Sequence, residues 1–177
     1  MNYPSPTLLR PTDLLRHLKD LRTGTYEGAE NREAQVALYQ KGIALITPIA
    51  LAILEEANRL FLQGSGDIQI IGPASEDSGK LETRFELSWP EQRTAHLTRG
   101  LHEPLQPVRI IVTYAQNFLH PHLAASTAGY WPFQVTNQAD AERQTSILCA
   151  IVELELHQRI YETDWRILPV SRPDEEV

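Results

Sequence analysis

Apolar residues recur every three to four positions through the first third of the chain and every second position through its middle. The pattern therefore changes from helical to extended near Gly64. In "TDLLRHLKDLR" the leucines Leu14, Leu15, Leu18 and Leu21 share one face behind Thr12, which predicts a short amphipathic helix capped by Thr12 and ended by Gly24. From Gly28 to Gln63 the composition is helical, with Pro48 in the middle. Proline fits a first turn but clashes inside a helix, so Thr47 reads as a cap and the stretch as two helices, at about 31–46 and 48–63.

Past "QGSGD" the period is two. "DIQIIG" reads as a short strand closed by Gly72-Pro73, and "PASEDSG" as a polar connection. In "LETRFELSW" the residues Leu81, Thr83, Phe85, Leu87 and Trp89 alternate with Glu82, Arg84, Glu86 and Ser88, so one face is buried and the other wet, as in antiparallel pairing. "RTAHLTR" at 93–99 reads as a further short strand, and the β-branched "PVRIIVTY" at 107–114 as a strand that ends where the loop "FLHPHLAASTAGYWPF" begins. Asn137 caps a last helix to about Glu162, with Asp140 in its first turn and apolar residues nearly all round.

Helices, then a block of strands, then a helix predict an α+β domain. Its antiparallel sheet has three to four strands, with the helices before and after it packed on one face. Doubly wound nucleotide folds need strands alternating with helices, and "QGSGD" precedes a strand instead of opening a helix as a phosphate loop does. A length of 177 residues is one domain's worth, with irregular tails expected at 1–11 and 169–177.

Charge narrows the partners. A net charge of −7 without any Lys/Arg run opposes nucleic acid and an anionic membrane surface. The run "GIALITPIALAIL" stops at Glu55, short of the roughly 20 residues that span a bilayer, and reads as a buried helical element. One cysteine, Cys149, and an N-terminus with no basic region leading into an apolar run point to a reducing, cytoplasmic setting.

The loop at 118–133 holds the candidate chemistry. His120 and His122 can point the same way on an extended backbone. With Glu153 and His157, one turn apart on the last helix, they form a conceivable zinc or iron site. Cys149 lies mid-helix among apolar residues, where a thiol is inert, and Ser126 and Thr127 lack a nucleophile-elbow motif. The pair Glu55-Glu56 reads as a solvated flank. Tyr130, Trp131 and Phe133 suit a core lid, a protein-binding patch or the wall of a small-molecule pocket.

Sheet and loop together resemble the ubiquitin-conjugating-like fold, with its inactive-variant and RWD-type branches. The matching residues are Gly72-Pro73, the strand 81–89 with Pro90, then Pro104 and Pro107, the strand 108–114, and His120-Pro121, over about two thirds of the chain. The departures are His122 in place of an asparagine, no cysteine after the motif, Cys149 far downstream, and an insertion at 91–103. The resemblance implies a conjugation-inactive, protein-binding member.

No catalytic constellation rises out of this pattern. The reading it favours is a non-enzymatic interaction or assembly module without a cofactor, with His120, His122, Tyr130, Trp131 and Phe133 as its binding surface. A metal-dependent protein using the His-Pro-His loop and a small-molecule carrier are the alternatives. Ile49, Leu51, Ile53, Leu54, Leu60, Phe61 and Leu62 exceed what one sheet face needs, which points to a homodimer.

Overall fold

The alternation at 81–88 becomes the second strand of a five-stranded antiparallel sheet in which every strand pairs with its chain neighbour. The computed structural model describes residues 10–75, 79–126 and 129–169. Most of the expected tails, and Thr127, lie outside those residues. The elements are α1 (Pro11–Thr23), α2 (Arg32–Leu62), β1 (Asp67–Ser75), β2 (Leu81–Ser88), α3 (Pro90–Arg99), β3 (Val108–Tyr114), β4 (His122–Ala124), β5 (Tyr130–Pro132), α4 (Gln138–Arg143) and α5 (Thr145–Glu162).

Register fixes the two faces. Thr83 opposite Val112 and Phe85 opposite Ile110 put Thr83, Phe85 and Leu87 with Val108, Ile110, Val112 and Tyr114. Leu123 of β4, opposite Val112, continues this face. Against it pack Tyr39, Ile43, Ile46, Ala50 and Leu54 of α2 with Leu148, Ile151 and Val152 of α5, in one core cluster. The Tyr39 hydroxyl bonds Thr83 (2.9 Å) and donates to the Val112 carbonyl (3.1 Å), so the buried hydroxyls of this layer are satisfied. Glu82, Arg84, Glu86 and Arg109 occupy the other face, Arg109 donating to Glu86 at 2.8 Å, and none of them joins the core. The α+β class and the antiparallel sheet are as expected, but there are five strands instead of three to four, and helices lie on both sides of the sheet instead of one, His17 of α1 meeting His122 on the far face.

Five elements differ from the sequence expectation. The two helices about Pro48 are one unbroken helix of 31 residues. Pro48 removes one intrahelical bond, yet the Thr47 hydroxyl donates to the Ile43 carbonyl (2.7 Å) beside the gap, and packing on both sides of the proline keeps the axis continuous. "RTAHLTR" is helix and not strand, because Pro90 opens it, the Gln92 side chain accepts from the Trp89 amide (3.3 Å) and Gly100 ends it in the left-handed region. Strand β1 runs on through Gly72-Pro73 with a register irregularity between Ile71 and Ala74. The last helix divides at Gln144 into α4 and α5, although Asn137 caps α4 as its spacing predicts, accepting from the Asp140 amide at 3.0 Å. Helix α1 also starts at Pro11, with Arg10 in the cap position, rather than behind Thr12.

Candidate docking site around helix α1 and the histidine loop

An amphipathic helix ordinarily turns its apolar stripe inward. Helix α1 does the reverse. Leu14, Leu15, Leu18 and Leu21 are all exposed, Leu15 by 66%, whereas Asp13 and Asp20 are buried. No residue of α1 belongs to the hydrophobic core.

Polar bonds hold the inner face of α1 to the segment after β5. Arg16 donates to both oxygens of Asp140 (3.0 and 3.1 Å) and to Glu27 (2.9 Å). Asp20 accepts from Gln134 (3.1 Å) and from the Glu27 amide (2.9 Å), and Asp13 accepts from Gln144 (3.0 Å). Arg10 donates to the Pro132 carbonyl at 3.1 Å and Tyr26 to the Phe133 carbonyl at 3.0 Å. Burial works to raise the Asp140 carboxyl, but the bonds from Arg16 and Thr136 and the Arg16 charge outweigh it and hold Asp140 at about 2. Among the side chains of this network only Asp140 was marked by the sequence pattern, because a buried polar network leaves no periodic trace.

Three imidazoles meet between α1, which supplies His17, and the loop. The His17 ring packs edge-on against His120 (centroids 4.4 Å apart) and His122 (5.8 Å). His120 is buried, and its Nε2 stands 3.6 Å from Asp20. Among the described residues His17 Nδ1, His120 Nε2 and His122 Nδ1 are each buried without a hydrogen-bond partner. Burial lowers all three histidines, with His17 adding charge repulsion at the other two, and His120 reaches about 4. At neutral pH the cluster is therefore an uncharged wedge between helix and loop.

The loop is anchored from two sides. The Tyr114 hydroxyl donates to Gln35 of α2 (2.6 Å), and the Arg32 guanidinium sits 3.6 Å above the Tyr114 ring while donating to the Ala115 carbonyl. From α5 the fully buried Glu155 accepts from the Ser126 amide (2.9 Å) and hydroxyl (2.7 Å), the Arg109 amide (3.3 Å) and Arg159 (2.9 Å). One carboxylate thus ties the β4–β5 hairpin to the core.

What this scaffold presents is apolar. A cleft of about 480 Å³ is lined by His17, Leu21, Phe118, Leu119, His122 and Tyr130. Phe118, Leu119 and Tyr130 are exposed, Tyr130 by 70%. A second cleft, of about 240 Å³, lies between Leu14, Trp131 and Ile147. The leucine stripe of α1 joins the two clefts into one patch, unlike the singly scattered apolar residues of an ordinary surface.

The expected site residues separate accordingly. His122 and Tyr130 line the patch, and Trp131 flanks it. Phe133, expected at the surface, is fully buried in the core against Gly42 of α2 and presents no face to a partner, whereas His120, though buried under α1, also lines the 480 Å³ cleft. Phe133 and Val135 form the outer end of the core, since Gly42 leaves room only for a ring there. Glu153 and His157 lie on the exposed side of α5, with Glu155 and Arg159 turned inward instead. Among the described residues no group of three or more His, Cys, Asp or Glu side chains is arranged to hold a metal ion, so the zinc or iron set His120, His122, Glu153 and His157 is not assembled. Cys149 is half-buried, and burial together with Glu153 pushes its thiol up, away from the reactive thiolate.

Comparison with family models, with curated proteins and with solved structures found no match to this chain.

Proposed function

We propose that the chain is a non-enzymatic protein-interaction module that docks a partner on the outer face of α1 and the adjoining histidine loop. The observation that carries this reading is the inverted helix: four leucines face out while two aspartates are turned in. Burying a carboxylate is costly unless it is paired, and exposing leucines forgoes about 25 cal/mol for each Å² left in water. Such an orientation is expected when another surface covers the leucines. Chemistry of the stripe defines that surface. Lys19 and Arg22 are exposed beside the leucines, and α1 shows no carboxylate outward, so the partner carries an apolar ridge flanked by acidic side chains. Histidine and aromatic side chains at the loop end, His122, Phe118 and Tyr130, supply the anchoring cleft.

A photoreactive amino acid at Leu15, with a second copy of the experiment at exposed Glu153 as control, tests this in cells of the native host. The expected result is an adduct of defined mass from position 15 that disappears when Leu18 is changed to Glu. Because these leucines are exposed, Leu18→Glu should alter the stability of the isolated chain by no more than about 0.5 kcal/mol. Equal labelling from both positions, or an adduct indifferent to Leu18→Glu, would refute the proposal.

A further inference from the structure

Helix α2 leaves a second face uncovered. Its inward residues, Tyr39, Ile43, Ile46, Ala50 and Leu54, all belong to the core. On the opposite side Lys41, Ala44, Pro48, Ala52 and Glu55 are exposed, with Leu45 and Leu51 partly exposed beside them. Between Lys41 and Glu55 the outward face carries no charge, and neither of those two end residues makes an ion pair or a side-chain hydrogen bond with another of the described residues.

The order of residues on this face is self-complementary. Turned end to end about Pro48, the helix sets Lys41 opposite Glu55, Ala44 opposite Ala52 and Leu45 opposite Leu51. At 1.5 Å per residue the two end charges are about 21 Å apart along the axis, so an antiparallel copy in this register meets both of them at once. Small alanines on either side of the two-fold allow the backbones to approach closely, and the partly exposed leucines fill the flanks. Proline at the centre removes an amide that lies inside the helix and does not disturb the outer contact.

We infer that a second copy of this chain docks antiparallel along α2, in an isologous pair whose two-fold axis passes Pro48 and whose ends are closed by Lys41–Glu55 ion pairs between the copies. An isologous interface uses the same patch twice, which is what the mirrored order of side chains provides. This pairing uses a surface separate from the α1 patch, so the pair would present the partner-docking face twice.

Charge reversal tests it on the full chain by light scattering and sedimentation equilibrium. The parent is expected to be a dimer at micromolar concentration. Lys41→Glu alone, which faces Glu55 with a second carboxylate, and Glu55→Lys alone, which faces Lys41 with a second ammonium, should each weaken the dimer by about tenfold or more. The double variant restores opposite charges across the axis and should recover dimerisation, with far-ultraviolet circular dichroism unchanged throughout. A monomeric parent, a dimer indifferent to both single reversals, or failure of the double variant to recover would overturn the inference. So would a parent that partitions onto neutral phosphatidylcholine vesicles through this face. Leu18→Glu should leave the dimer intact, so loss of the α1 docking reading and loss of this one are separable.

Discussion

Lowering the pH from 7 to 5 should loosen the histidine wedge beneath α1. His120 is 1% exposed, and its pKa falls from the ordinary 6.5 to about 4, chiefly through burial and secondarily through His17. The folded chain therefore keeps this imidazole neutral while the unfolded chain takes up a proton. Between pH 6.5 and about 4 the unfolded state binds more protons, so stability falls with falling pH by about 1.4 kcal/mol per unit. At pH 5 the loss from His120 alone is about 2 kcal/mol, and it levels off near 3 kcal/mol below pH 4. His17 and His122 are lowered in the same direction and steepen the slope. Asp140 is held at about 2, so its own contribution is lost only at lower pH and does not enter this window. Urea unfolding at pH 7, 6 and 5 on the parent and on His120→Gln gives the comparison. The variant should be less stable or not at pH 7 according to its packing, but its dependence on pH must be shallower by about 1 kcal/mol per unit. Parallel pH dependences would refute the argument.

Three other perturbations probe the scaffold. Glu155→Ala strands the buried Arg159 guanidinium and frees the hairpin at Ser126, and should cost about 3–5 kcal/mol in urea unfolding, whereas Glu155→Leu with Arg159→Met should cost less. Gly42→Ala places a methyl 2.7 Å from the Phe133 ring and 2.9 Å from the Val135 carbonyl, so the overpacking of about 1–3 kcal/mol outweighs the roughly 1 kcal/mol gained in helix propensity, and thermal melting should show a lower midpoint. Pro48→Ala restores an amide in the middle of α2 and should raise stability by up to about 3 kcal/mol, measured by the same unfolding curves; no change would mean that the proline gap costs nothing here.

Where the apolar pattern and the local signals agreed, the fold was legible. The strict alternation of Leu81 to Ser88 and the β-branched run from Val108 gave the centre of the sheet, because burial on one face is itself what produces that alternation. Asn137 and Gly24 marked helix ends because capping is decided by a few adjacent residues. Pro48 misled, since the rule against proline inside a helix is a penalty that a long packed helix can absorb, and the sequence does not show what packs on either side. The strands His122–Ala124 and Tyr130–Pro132 were illegible for another reason: three residues are too few for a period, and Glu155, nearly thirty positions away, is what holds them. For the site, the loop was visible as an unusual cluster of His and aromatic residues, but its partner was not. Periodicity showed that α1 has two unlike faces without saying which one points inward, and the polar partners that decide this, Gln134, Asp140 and Gln144, come from more than a hundred residues further on.

Because α1 adds nothing to the hydrophobic core, collapse of the chain has no hold on it. Its attachment is directional, made of bonds to Gln134, Asp140 and Gln144 that exist only once the segment after β5 is in place. Docking of α1 should therefore be the closing step of assembly and the first to reverse, and under native conditions its amides should exchange with solvent through an opening that leaves the sheet protected. The helix that turns four leucines to solvent should thus be the one that the rest of the domain can release while keeping its sheet.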